Sequence, residues 1–262
     1  MKQLILAIIL VIILPLCAFE MDTLVDAPTA GMLQAGQTDI FTEFYKDNGL
    51  LLGVRVGIIP RVMIGVSYGS ENVVGNNEPE WHDQVEFYGK FRLMDETSRI
   101  PALAIGYDSQ GHGRFYAEDD DGVDVRRYDI KSKGFFGVLT KNFGFLGNLG
   151  LHLGTNYSLE NTEDDRHMNI FTGVDKSIGD IMVLSVEYDM GINEDEKWLE
   201  TIMDEDIEYF DKGYLNSGLG IYFSENLYLQ VKFNDLLGNR GDTSMADRSI
   251  RLKYYFEINA KN

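Results

Sequence analysis

Hydrophobic and polar residues alternate in short segments from residue 31 to the end of the chain. The segment nearest the C-terminus shows the pattern in full. Its apolar positions are Ile250, Leu252, Tyr254, Phe256 and Ile258, and the positions between them are Arg251, Lys253, Tyr255 and Glu257. Because successive side chains of a strand point to opposite faces, this alternation predicts strands with one apolar and one polar face.

Twelve segments with this pattern follow one another, separated by turn residues. We place the strands at residues 35–45, 49–58, 61–69, 84–94, 101–108, 131–142, 148–160, 166–177, 181–190, 213–223, 226–234 and 248–258. The segment 131–142 fits two opposite phases, so the facing of its residues stays open. The sequence therefore predicts an all-β fold, a single antiparallel up-and-down transmembrane β-barrel of about 12 strands.

The connections between these strands alternate between short and longer polar ones. The longer ones span residues 70–83, 109–130, 161–165, 191–212 and 235–247. Outer-membrane barrels have short periplasmic turns and long external loops. If the first turn, at 46–48, is external, every longer connection is external too. This arrangement predicts a protein of the bacterial outer membrane with both termini in the periplasm.

The N-terminus has the layout of a cleaved signal peptide. Lys2 precedes an apolar run over 4–16, and Cys17 with Ala18 forms a small-residue exit. That run is too short for a membrane helix, which needs roughly 20 apolar residues. We therefore divide the chain into a signal peptide at 1–18, a periplasmic N-terminal segment at 19–34 and the barrel at 35–262. Lipidation of Cys17 stays open, although Leu16 is larger than a lipoprotein signal prefers.

Aromatic residues recur at one end of the predicted strands. In every second strand from the third on, the last residue of the apolar phase before the longer loop is aromatic, namely Tyr68, Tyr107, Tyr157, Tyr188 and Phe233. Aromatic rings suit the level of the lipid headgroups. A soluble β-sandwich or lipocalin-like barrel alternates as well, with its apolar face inside. The signal peptide, the loop asymmetry and this girdle favour the membrane barrel.

The polar face of the strands supplies candidate residues for the lining of the lumen. These candidates are Arg55, Glu86, Lys90, Arg92, His152, Glu187, Lys232, Arg251 and Lys253. A lining of one sign would indicate ion selectivity. The mixed signs permit either a salt-bridged, filled interior or a narrow polar pore.

Composition argues against a nucleic-acid-binding protein and against a disulfide-rich protein. The formal net charge is -19, whereas a surface that binds nucleic acid needs clustered Lys and Arg. Cys17 is the only cysteine, so the mature chain has no disulfide framework. We expect outer-membrane lipid and lipopolysaccharide as partners, no nucleic acid and no cofactor.

Two motifs suggest chemistry, and both are weak. Gly65 to Gly69 matches G-x-S-x-G, but that motif needs a strand-to-helix turn, and Ser67 lies along a predicted strand. In the acidic loop, aligning Asp119, Asp121 and Gly122 to a calcium-binding loop puts Ala117 and Tyr128 where carboxylates are required. We therefore expect no catalytic residue and no metal site. Alternatives are a hydrolase on a 12-strand barrel, and a structural or adhesive barrel whose acidic loops, at 117–124 and 194–196, bind cations.

Four segments carry a resemblance to a known family. They are Asp26–Gly31 (DAPTAG), Val62–Tyr68 (VMIGVSY), Pro101–Tyr107 (PALAIGY) followed by Gly111 and Gly113, and Ile130–Gly134 (IKSKG). With these segments the chain resembles the YjbH-type family of outer-membrane β-barrel proteins associated with bacterial exopolysaccharide production. The resemblance implies a secreted polysaccharide as a partner and transfers no catalytic residue. Together with the residue pattern, it suggests a non-enzymatic outer-membrane barrel, either a narrow channel or an accessory of exopolysaccharide secretion.

Overall fold

The computed structural model describes residues 20–46, 48–76, 78–118, 122, 124–160, 166–179, 181–194, 212–239 and 246–258. Within these residues the chain forms fifteen strands. They are β1 (Gln37–Tyr45), β2 (Gly49–Ile59), β3 (Val62–Glu71), β4 (Glu80–Trp81), β5 (Glu86–Met94), β6 (Ala102–Asp108), β7 (His112–Glu118), β8 (Asp124–Ile130), β9 (Gly134–Gly144), β10 (Asn148–Tyr157), β11 (Asn169–Ile178), β12 (Met182–Asp189), β13 (Tyr214–Tyr222), β14 (Leu227–Asn234) and β15 (Asp247–Glu257). The expected signal peptide, Cys17 included, lies outside the described residues.

Twelve of these strands pair antiparallel in a closed barrel, in the order β1, β2, β3, β5, β6, β9, β10, β11, β12, β13, β14 and β15. The first strand closes the ring by pairing with the last, with Phe41 opposite Lys253. Each barrel strand corresponds to one of the twelve segments predicted from alternation, so the predicted fold is confirmed. In the described part of the chain, no helix has the length and apolar character needed to cross a membrane.

The apolar phase of each strand faces out of the barrel. Phe87 is 59% exposed and Leu153 is 54% exposed, whereas their polar neighbours Glu86 and His152 are buried. A surface of this kind is compatible with lipid and leaves charged groups in the interior. In strand β9, whose phase the sequence left open, Phe135 points out of the barrel and Phe136 points into it.

The predicted aromatic residues lie on the outward phase near one end of their strands. Tyr68 stacks on Trp81 of β4, with 5.5 Å between ring centroids. Tyr107 packs on Phe135 of the neighbouring strand at 5.0 Å. Their rings therefore sit at the rim where the strands leave the barrel wall, as a girdle at the headgroup level requires.

The long connection between β6 and β9 folds back as a hairpin, β7 paired with β8. Phe115 and Tyr128 pack together within it, with ring centroids 4.9 Å apart. The Tyr128 hydroxyl donates to Glu86 Oε1 at 3.0 Å, and the Phe115 amide donates to Glu71 Oε1 at 3.3 Å. Residues 109–130, predicted as a long polar connection, thus contain a hairpin that packs against the end of the lumen.

Residues 20–34, which we name the plug, lie inside the barrel. Their chain makes a tight turn in which the Leu24 amide donates to the Ala27 carbonyl at 2.9 Å. Ala27, Ala30 and Leu33 pack in one cluster with inward side chains of the wall, which are Met63, Tyr88, Ala102, Ala104, Phe136, Val138 and Phe171. The predicted division into an N-terminal segment at 19–34 and a barrel at 35–262 is wrong, since residues 20–34 lie in the lumen. They do so because the lumen wall binds their backbone and carboxylate groups.

Candidate functional site

The plug is anchored near its start by the carboxylate of Asp22. Arg55 of β2 donates to Asp22 Oδ2 at 2.8 Å, and Lys253 of β15 donates to Oδ1 at 2.9 Å. All three side chains are buried. Buried charges are tolerated only when they are paired and hydrogen-bonded, so Asp22 and its two cations depend on one another.

A second carboxylate, Asp26, anchors the turn of the plug. Lys232 Nζ and Asn234 Nδ2 of β14 donate to it, and Arg251 of β15 lies 3.6 Å away. Lys232 and Arg251 also bind Glu43 of β1. The second anchor is therefore a network in which two cations are shared between one plug carboxylate and one wall carboxylate.

His112 of the β7–β8 hairpin reaches the same carboxylate from the other side. Its Nδ1 lies 3.3 Å from Asp26 Oδ1. Burial lowers the pKa of the His112 imidazole to about 4, even though the Asp26 charge acts to raise it. The ring is therefore neutral at pH 7, and the hairpin rests on the plug without adding a positive charge.

Glu187 of β12 holds the backbone of the turn. Its Oε2 accepts hydrogen bonds from the amides of Val25, Asp26 and Ala27 at 3.0, 3.0 and 2.8 Å. Its Oε1 accepts from Asn216 Nδ2 at 2.9 Å. Three successive amides that converge on one carboxylate form an anion-binding nest, so the turn conformation itself is part of the contact.

Long polar side chains of the wall satisfy the carbonyl groups of the plug. Lys90 donates to the carbonyls of Asp22 and Thr29 at 3.0 and 3.1 Å. Gln230 donates to the Leu24 carbonyl at 2.9 Å, and Arg92 Nε donates to the Ala30 carbonyl at 2.8 Å. A segment without regular secondary structure needs such partners when it is buried. The wall is thus complementary to this backbone.

The structure places all nine candidate lumen residues on the inward phase. Seven contact the plug directly, namely Arg55, Lys90, Arg92, Glu187, Lys232, Arg251 and Lys253. Glu86 instead accepts from Tyr128 of the hairpin. His152 Nε2 lies 2.7 Å from Asp175, and its Nδ1 lies 2.9 Å from Thr140, whose hydroxyl accepts from the Ala30 amide.

Sequence reasoning missed the partners of these residues. Asp22, Asp26 and Thr29 precede the first strand, where no alternation marks them as part of the barrel. Glu43 lies on the polar phase of β1 and could have been found by the same rule as the nine candidates. His112 could not, because nothing in a polar loop indicates that it folds inward.

Free space in the lumen is uneven. At the end where the short turns lie, a cavity of about 1080 Å³ extends up to the plug. The residues lining it include Met21, Arg92, Tyr228, Lys253 and Tyr255. On the other side of the plug, two cavities that His112 lines have volumes of only about 20 and 50 Å³. The plug and the hairpin therefore separate one wide vestibule from these two small cavities on the hairpin side.

The described residues of the two weak chemical motifs make ordinary structural contacts. The Ser67 hydroxyl donates to the amide oxygen of Gln110 at 2.9 Å rather than to a base. In the acidic loops, Asp119, Asp121 and residues 195–196 lie outside the described residues. Glu194 is described, and its carboxylate forms an ion pair with Arg127.

No family model and no curated protein matches this chain. Among solved structures it is similar to the KdgM porin, with 8% identity over 85% of this chain and 99% of that chain, at a TM-score of 0.48. It is also similar to the NanC porin, with 8% identity over 84% and 100% of the two chains, at a TM-score of 0.43. A third similar structure is the outer membrane protein Omp33 of Acinetobacter baumannii, with 8% identity over 85% and 97%, at a TM-score of 0.39.

Proposed function

We propose that this chain is a non-enzymatic barrel of the bacterial outer membrane that works as a narrow, gated channel, with the plug as its gate. The observation that carries the proposal is the chemistry of the plug's contacts. Besides its small apolar cluster, the plug is held by ion pairs and hydrogen bonds from a polar wall, and water can replace each of these polar contacts at a net cost of about 0.5–3 kcal/mol. Withdrawal of the plug would leave a lumen that water can fill.

The orientation and the solute class belong to the same proposal. Long connections on one side of the barrel support an external position for the β7–β8 hairpin and a periplasmic position for the vestibule. The solute we propose is a secreted polysaccharide. Its support is the resemblance to the YjbH-type family, whose first segment, Asp26–Gly31, lies in the plug. An accessory role in secretion, with the plug permanently in place, is the alternative within this class.

Conductance of the purified protein in a planar bilayer tests the gate. Asp22→Asn with Asp26→Asn removes both carboxylate anchors, and breaking a buried ion pair typically costs about 3–5 kcal/mol. We expect the unchanged chain to stay shut for most of the recording and the double variant to open frequently. The control variant, Asp83→Asn with Glu257→Gln, removes two exposed carboxylates away from the plug contacts and should behave like the unchanged chain.

A reversible tether separates a gate from an unrelated leak. A side chain built on Gly173 would lie 2.3 Å from Leu24 Cδ1 and 2.9 Å from the Val186 carbonyl oxygen, so Leu24→Cys with Gly173→Cys directs two thiols at each other once β12 shifts by a few tenths of an ångström. Combined with the Asn variants, the oxidised tether should keep the channel shut and its reduction should reopen it. Equal currents in both redox states, or no current in either, would exclude the plug as a gate and favour the accessory role.

A further inference from the structure

The wall around Asp22 is chemically suited to a second carboxylate ligand. Arg55 donates to Asp22 at 2.8 Å and to the Thr23 hydroxyl at 3.0 Å. Lys90 donates to two plug carbonyls. Every one of these acceptors belongs to the plug. When the plug withdraws, both cations lose these partners at once.

Other cations of the lumen keep acceptors on the wall. Lys253 lies 3.8 Å from Asp39 of β1, and Lys232 and Arg251 both bind Glu43. Among the residues that the structure describes, no wall carboxylate forms an ion pair with Arg55 or Lys90. When the plug withdraws, these two side chains therefore lose their direct partners, and the wall charges nearest Arg55, Asp39 and Asp108, act on it from beyond ion-pair distance.

An aromatic ring lies between the two cations. Arg55 Cζ is 4.4 Å from the centroid of the Tyr88 ring, and Lys90 Nζ is 5.8 Å from it. On its other side, Arg55 covers Phe41 at 5.1 Å. The Tyr88 ring therefore holds the guanidinium and the ammonium group close to each other. A guanidinium and an ammonium group in this arrangement match a carboxylate.

From this arrangement we infer that Arg55 and Lys90, held together by Tyr88, form a subsite for the carboxylate of a solute, which for the polysaccharide proposed above means an acidic saccharide, and that Asp22 of the plug occupies it in the closed state. The inference rests on the proposed gate and names the class of solute that the opened lumen binds. An acidic saccharide and the plug compete for the same cations. The solute therefore favours the open state by mass action.

The test uses the Asp22→Asn, Asp26→Asn variant as an open channel and a hexamer of mannuronate as the acidic probe. We expect the hexamer to block the current at a concentration about tenfold lower than maltohexaose does. Adding Arg55→Gln and Lys90→Gln should remove that preference. A control with Arg99→Gln and Lys176→Gln, which removes two cations at the turns, should retain it.

The outcomes separate this inference from the gate itself. Current that opens but shows equal block by acidic and neutral hexamers would overturn the subsite and leave the gate standing. If no current appears, titration calorimetry of the mannuronate hexamer into the detergent-solubilised Asn variant decides, because it requires no conductance. Absence of binding there, or binding that survives Arg55→Gln with Lys90→Gln, would overturn the subsite.

Discussion

The hydrogen bonds between Glu187 and the plug turn predict how much a substitution at Glu187 should destabilise the closed state. Glu187→Gln keeps the shape of the side chain but replaces one carboxylate oxygen with an NH₂ group. Three amides converge on Oε2 in the unchanged chain, and a hydrogen bond to a charged acceptor contributes about 1.5–3 kcal/mol. The amide oxygen can serve Oε2 or Oε1 but not both, and it carries no full charge.

We therefore expect Glu187→Gln to weaken the closed state by about 2–3 kcal/mol, which raises the ratio of open to closed channels about 30- to 150-fold. Single-channel recording measures this ratio directly. Asp189→Asn is the matched control, because Asp189 lies two residues along the same face of β12 and binds Lys133 and Asn169 rather than the plug. An unchanged ratio in Glu187→Gln, or an equal increase in Asp189→Asn, would refute the reasoning.

Three further predictions test the fold, the loop and the absence of catalysis. Leu252 lies in the middle of the outward phase of β15, so Leu252→Arg should lower the free energy of unfolding in lipid vesicles by about 2–4 kcal/mol. Leu146→Arg, at an exposed turn, should lower it by less than about 1 kcal/mol. Equal losses in the two variants would contradict the outward orientation of Leu252. Burial raises the pKa of Glu160 to about 7, although backbone amides donate to its carboxylate. Between the ordinary carboxyl pKa and pH 7 the folded chain thus binds one proton more than the unfolded chain, so the free energy of unfolding should fall as pH rises through that window. The urea midpoints at pH 5 and pH 8 should differ less in Glu160→Gln than in the unchanged chain. Ser67→Ala should leave ester hydrolysis by the purified barrel at the uncatalysed level, and a serine-dependent activity would revive the hydrolase.

The barrel strands were predictable because their signal is local. Alternation over a single strand, such as β15, reports which face meets lipid without any knowledge of its neighbours. The same phase rule predicted that Arg55, Lys90 and Glu187 point inward. It could not say what they bind, because the mixed signs were compatible with a filled or an open lumen, and their partners lie far away in the chain.

The plug was not predictable from its own residues. Segment 20–34 has no period of two and few large apolar side chains, so it has the local signal of a linker. Its place depends on Glu187 and Lys232, which are remote in sequence. The hairpin at 112–130 was missed for a related reason, since Gly111, Gly113 and the polar residues that follow look like an ordinary loop.

The plug's contacts also constrain the order in which the molecule is assembled. Gln230 and Leu24 are 206 residues apart, Arg251 and Val25 are 226 apart, and Lys253 and Asp22 are 231 apart. The wall side chains that bind the plug come together only after the first and last strands have paired and closed the barrel. The plug residues, which are synthesised before the barrel strands, are therefore among the last to become ordered, and a filled lumen indicates that the barrel has closed.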